Sequence, residues 1–173
     1  MPDYFEAFGM PRQLEIDNKD LEKKFYALSR KLHPDLFARK SAKEQADALE
    51  ASAVLNDAYR VLREPIARAL YVLKQEGLDI GEQGTKDVPP ELLEEVFELN
   101  MALEDENATD EVLAARARFE GMRDEIDAAM KGQFAEWDRT HQRSALDAIR
   151  GQLNRRKYIT NLIARTDKAH VSD

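Results

Sequence analysis

Three histidines, no cysteine and an excess of carboxylates bound the chemistry open to this chain. His33, His141 and His170 are far apart in sequence, and a general base needs an orienting partner and a pocket, neither of which a three-residue surface turn visibly offers. Carboxylates cluster at Glu94-Glu95 and Glu104-Asp105-Glu106. Without a histidine nearby, such runs read as solvated helix faces rather than as metal ligands. No glycine-rich loop matches a phosphate-binding pattern. The absence of cysteine removes disulfides, zinc fingers and cysteine-ligated iron–sulfur clusters. The expectation is a protein that is not an enzyme, with no catalytic residue, metal site or cofactor. What remains is His33-Pro34-Asp35, a tripeptide suited to recognition if it is held rigidly at a surface.

The elements around it are built to hold it there. Leu21, Phe25, Leu28 and Leu32 recur at i, i+4, i+7 and i+11, the apolar stripe of a helix packed on one side. Ala48, Leu55, Tyr59 and Leu62 form a second stripe. Pro34 biases His33 away from helical dihedrals, so the first helix should end there and leave the tripeptide on the tip of a helical hairpin. Asp17 suits an N-cap, with Ile16 and Leu21 as a hydrophobic staple, and Ser41-Ala42-Lys43-Glu44 reads as a capping box. Pro65 fits the first turn of another helix that stops at Gly77. Ahead of these, Tyr4, Phe5 and Phe8 form an aromatic cluster placed to seal one end of the hairpin.

From Leu78 the stripe is lost, Gly81 and Gly84 appear, and Pro89-Pro90 follows, which marks a connection at 78–89 between a module at 1–77 and another at 90–173. Three further amphipathic segments come after it. The first carries Leu92, Val96, Leu99 and Leu103. The second carries Val112, Ala115, Phe119, Met122, Ile126 and Ala129, with Thr109 or Asp110 as cap. The third carries Ile149, Leu153, Ile159 and Ile163. A break between the last two is expected near Asp138 to Arg143, with Gly132 as the competing position. Three long helices with short connections form an antiparallel bundle, so the fold class is all-α.

Charge narrows the partners. A net charge of -8 argues against general nucleic-acid binding, which relies on a basic surface. No apolar run approaches the roughly 18 residues that span a bilayer, and the first residues lack a signal-peptide pattern, so no membrane association and a cytoplasmic location are expected. The distribution is uneven: Lys19, Lys23, Lys24, Arg30 and Lys31 precede the tripeptide, whereas Glu91 to Glu111 contains acidic residues and no basic one. Alone, each is an ordinary solvated face. Beside the tripeptide, the basic helix reads as a docking face for an acidic partner. In the acidic helix, Leu93, Phe97 and Met101 make a second apolar line next to the core stripe. Either the helix is buried on two sides, or this line is an exposed partner site rimmed by Glu94, Glu98 and Asp105.

Several stretches resemble a known family. Asp3-Tyr4-Phe5 with Phe8-Gly9 and Pro11, His33-Pro34-Asp35 with Phe37, Leu55-Asn56-Asp57-Ala58-Tyr59 with Leu62, and Pro65, Arg68-Ala69, Tyr71, Leu73 and Gly77 are similar to the J-domain. More narrowly, the whole chain resembles the HscB-type, DnaJ-like co-chaperones of iron–sulfur cluster biogenesis. The resemblance implies a J-domain hairpin over 1–77 and a C-terminal three-helix domain that binds a scaffold. It implies that His33, Pro34, Asp35, Lys24 and Arg30 engage a DnaK/HscA-type ATPase chaperone. It further implies that Leu93, Glu94, Phe97, Glu98, Met101, Asp105 and Tyr158 hold an IscU-type iron–sulfur scaffold protein. Leu36, Glu94 and Met101 depart from the residue types usual at their positions. Two other functions fit the same stripes: a general J-domain co-chaperone for unfolded clients, and a helical adaptor in which the tripeptide is incidental.

Overall fold

The computed structural model describes residues 2–80 and 89–168. Most of the expected connection, Gly81 to Val88, and His170 lie outside the described residues. The chain divides into two compact units, residues 1–77 and 78–173. All regular structure among the described residues is helical.

The first unit opens with a short helix α1 (Tyr4–Ala7), capped by Asp3, whose side chain accepts from the Phe5 N–H at 2.8 Å. Gly9 then takes a left-handed conformation (φ 62°), which a glycine adopts without a Cβ clash. Asp17 caps α2 (Asn18–Lys31) by accepting from the N–H groups of Lys19 and Asp20, and Leu21 on its first turn is buried. α2 stops before the proline, and a single turn, α3 (Pro34–Phe37), follows. α4 (Ala42–Leu62) starts from the capping box that Ser41 and Glu44 form, and α5 (Pro65–Gln75) has Pro65 at its start. Gly77, just past its C-cap, is left-handed at φ 74°, a conformation that ends a helix.

α2 and α4 pack through Leu21, Leu55, Ala58 and Leu62, with Phe25 stacked on Tyr59 at 4.2 Å between ring centres. Tyr4 stacks on Tyr71 at 4.6 Å, and its N–H donates to the Tyr71 hydroxyl, while Phe5 and Phe8 are buried. Burial raises the Tyr71 phenol above its usual range, against the lowering effect of that hydrogen bond. Through Tyr71 the aromatic cluster packs the N-terminal segment onto α5, an element outside the hairpin.

Among the described residues, Arg68 is the one charged side chain that is buried, at 3% exposed. Its guanidinium donates to the Leu14 carbonyl at 2.5 Å and the Leu62 carbonyl at 2.7 Å. It thus ties the segment before α2 to the turn between α4 and α5. A methionine there keeps the volume and removes the donors, leaving buried carbonyls without their charged partner. Arg68→Met is expected to destabilise the first unit by about 2–3 kcal/mol, read as a lowered urea midpoint at constant slope.

The capping box makes a second testable point. The Glu44 carboxylate accepts from the Ser41 N–H at 2.9 Å and from the Ser41 hydroxyl, and these bonds, the backbone one first, hold its pKa below the usual 4.5. A group depressed on folding stabilises above its unfolded pKa and loses that effect as pH falls through the folded one. The first turn of α4 is therefore expected to loosen on acidification below pH 4.5. Cα chemical shifts of residues 41–45 in an acid titration check this, and Glu44→Gln should abolish the dependence.

The second unit begins with a 3-10 turn (Pro90–Leu92) leading into α6 (Leu93–Glu104). α7 (Thr109–Thr140) and α8 (Arg143–Lys168) follow as a long antiparallel pair, tied by Asp127–Arg156 at 2.7 Å and by Arg116–Asp167. The seam between them contains Val112, Phe119, Ile126 and Met130 from α7 and Ile149, Leu153, Ile159 and Leu162 from α8. The pair turns at His141, within the expected interval, and α7 runs unbroken through Gly132. His141 is left-handed (φ 54°), with its N–H on the Trp137 carbonyl at 2.7 Å and its ring 4.6 Å from the Trp137 ring centre.

Two sequence-based details are corrected. Neither Thr109 nor Asp110 caps α7; Ala108 occupies that position, set by a turn in which Asp105 accepts from the Asn107 and Ala108 N–H groups. The α7 seam also leaves the expected register after Ile126, with Ala129 exposed and Met130, Phe134 and Trp137 buried. Over 32 residues, a stripe kept to regular steps of three and four drifts off a face whose period is 3.6.

Candidate functional site

The His-Pro-Asp tripeptide is the start of α3. His33 is its N-cap (φ -60°, ψ 135°), Pro34 its first residue and Asp35 its second. Pro34 has no N–H, and its fixed φ suits a first helical position. The Asp35 N–H donates to the His33 side chain at Nδ1, 3.2 Å away. The Asp35 carboxylate also lies 3.5 Å from Nδ1, and an imidazole whose Nδ1 accepts the Asp35 N–H has its proton on Nε2, the nitrogen not used by the cap. The His33 and Asp35 side chains are 59% and 91% exposed. The tripeptide therefore presents an imidazole N–H and a carboxylate outward from a corner whose backbone is fixed by its own hydrogen bond.

Lys24 and Arg30 are both exposed on α2, yet six residues separate them, which sets them about 120° apart around the axis. Arg30 shares its face instead with Lys19 and Lys23, which are also exposed. Tyr26 lies in the same line at 53% exposed. The signal for it was present in the sequence: it stands one residue after the core position Phe25, as Leu93 stands one after Leu92.

The second candidate surface is on α6. Leu92 and Leu99 face the core, whereas Leu93, Phe97 and Met101 are 55%, 64% and 59% exposed. The line next to the core stripe is thus an uncovered apolar strip, with exposed Glu94, Glu98 and Asp105 beside it. Its ends are fixed by ion pairs and hydrogen bonds to both neighbouring helices. Glu98 pairs with Arg118 of α7 at 3.6 Å. Towards α8, Glu91 pairs with Arg155 at 3.6 Å and Asn100 accepts from Arg165. α6 and α8 therefore run parallel, and Tyr158, one turn after Arg155, stands at the level of Glu94. It is half-buried.

The arrangement supports binding. Among the described residues no group of histidines and carboxylates is placed to hold a metal ion. No described helix is long and apolar enough to cross a membrane.

Comparison with known proteins places these features in a family. The DnaJ domain matches residues 3–71, and the HSCB C-terminal oligomerisation domain matches residues 88–167. Among curated proteins, a co-chaperone protein HscB homolog of Vibrio cholerae is 36% identical over 78% of this chain and 82% of its own length. One from Aliivibrio salmonicida is 32% identical over 95% of each. One from Vibrio parahaemolyticus is 43% identical, and there the chain spans 60% of the relative's length. Among solved structures, chaperone HscB from Vibrio cholerae superposes with a TM-score of 0.66 at 28% identity, covering 98% of both chains. Human co-chaperone protein HscB shares the fold, with a TM-score of 0.72 at 24% identity over 99% of this chain and 83% of that one. The order of the two matched domains, their span and the shared fold agree: this chain belongs to the HscB family, the J-domain co-chaperones of iron–sulfur cluster assembly, which is not an enzyme class.

Proposed function

We propose that this protein couples an iron–sulfur scaffold to an ATPase chaperone. The first unit acts as a J-domain: His33, Pro34 and Asp35, with Arg30 on the α2 face it shares with Lys19 and Lys23 and with Lys24 on a separate face, engage a DnaK/HscA-type chaperone and raise its ATP hydrolysis. The second unit captures an IscU-type scaffold on Leu93, Glu94, Phe97, Glu98, Met101 and Asp105, with Tyr158 at its margin. Residues 78–89 join the two, and the work is done in the cytoplasm. The corner at His33 has no chemistry of its own. It shifts the chaperone's conformational equilibrium by contacting one nucleotide state better than the other.

The observation that carries this reading is the 64% exposure of Phe97 within an acidic rim. A general J-protein needs no second surface of fixed shape and charge, and a coiled-coil adaptor would cover such a strip with its own helices. Steady-state ATPase assays test it, with the chaperone, this chain and the scaffold measured alone and together. Stimulation by the chain that rises further when the scaffold is added is expected. Equal stimulation with any unfolded client would favour the general co-chaperone, and no stimulation would favour the adaptor.

A further inference from the structure

Beside the strip, α6 and α7 leave a groove of about 410 Å³ between them. Its floor is built from small and buried residues, with Leu99 at 0%, Ala115 at 2% and Ala108 at 8% exposed. Ala102 and Ala114 keep its walls low, and Met101 closes the side that faces the strip. One end is clasped by the Glu98–Arg118 pair. The helices are antiparallel, so seven residues along from this clasp in each bring Asp105 and Glu111 to the same level at the other end. Arg118 is the single cation of the lining, and it is already engaged.

The geometry points to this groove as a specificity subsite for the scaffold partner, taking an aliphatic side chain over Ala102 and Ala114 and a neighbouring lysine or arginine at Asp105 and Glu111. The inference rests on the proposed capture of the scaffold by α6. It adds residues of α7 to the recognition surface. Three features select that occupant. Met101 belongs both to the strip and to the groove, so the two surfaces are continuous. Its unbranched thioether adapts to the chain that crosses it. The paired carboxylates favour a basic side chain and oppose an acidic one, which sets register as well as attraction. An aliphatic residue next to a basic one satisfies both halves of the groove; an acidic or bulky aromatic segment satisfies neither.

The test is a calorimetric titration of the full chain with the iron–sulfur scaffold protein, using three variants. Ala114 and Glu111 are exposed, so Ala114→Trp fills the groove and Glu111→Lys reverses its charge without entering the core. Each is expected to weaken binding by about tenfold or more; Ala114→Trp should leave the thermal transition in place, and Glu111→Lys should lower it only slightly, since it puts a cation in the first turn of α7. Glu111→Lys should also reduce the salt dependence of the affinity. Phe97→Ala separates the two layers of the inference. If Phe97→Ala loses binding while both α7 variants bind like wild type, the groove proposal is overturned and scaffold capture stands. If Phe97→Ala also binds like wild type, capture by α6 falls and the groove with it.

Discussion

His33→Gln is expected to return a DnaK-type ATPase to its basal rate while leaving the melting transition of this chain within about 1 kcal/mol of wild type. The two halves follow from one geometry. α3 is a single exposed turn with no buried residue, so the core does not sense its N-cap. The outward Nε2–H exists because Nδ1 is occupied by the Asp35 N–H at 3.2 Å. Glutamine is a poor N-cap and places its amide elsewhere, so both the corner and its outward donor are lost. His33→Asn separates these contributions. Asparagine is a good N-cap and should restore the turn, but it is too short to present a donor where the imidazole does. Its stimulation is therefore also expected at baseline. Recovery in the asparagine variant would assign His33 a purely structural role.

Phe97→Ala is expected to weaken scaffold binding by about 100-fold, or roughly 3 kcal/mol, with folding stability unchanged within about 0.5 kcal/mol. Phe97 is the middle residue of the strip and its only aromatic, the residue type that most often dominates binding energy when it becomes desolvated. In the free protein it is already mostly in water, so truncation leaves no cavity. Phe119 supplies the contrast. It is 0% exposed in the seam of α7, and Phe119→Ala should cost roughly 3–5 kcal/mol of stability. Calorimetric titration and urea denaturation of the two variants should thus give opposite patterns. A Phe97→Ala protein that melts early and binds normally would show that the strip is core.

What could be read from the sequence follows from the range of the interactions involved. The caps at Asp17 and Ser41 are local, formed within three residues, and both were legible. The hairpin corner was legible because Pro34 restricts its own neighbour. α1 and α3 were not anticipated as helices, since four residues carry no periodicity to detect. The role of Arg68 was hidden because its partners at Leu14 and Leu62 are brought to it only by the tertiary fold. The Ala108 cap depended on a turn started by Asp105, which competes with the better capping residues beside it. Whether Leu93, Phe97 and Met101 were inside or outside depended on how many helices surround α6. That number is a property of the unit, and no pattern within α6 contains it.

The uncovered band on α6 also bears on how copies of this protein treat one another. Two molecules meeting there about a two-fold axis would set Glu94, Glu98 and Asp105 of each against the carboxylates of the other, on chains that each carry a net charge of -8. Greasy contact would then be opposed by repulsion at its own margin, over a distance that salt shortens. In the proposed complex, the acidic fringe would thus favour a basic segment of the scaffold over the like-charged band of a second copy.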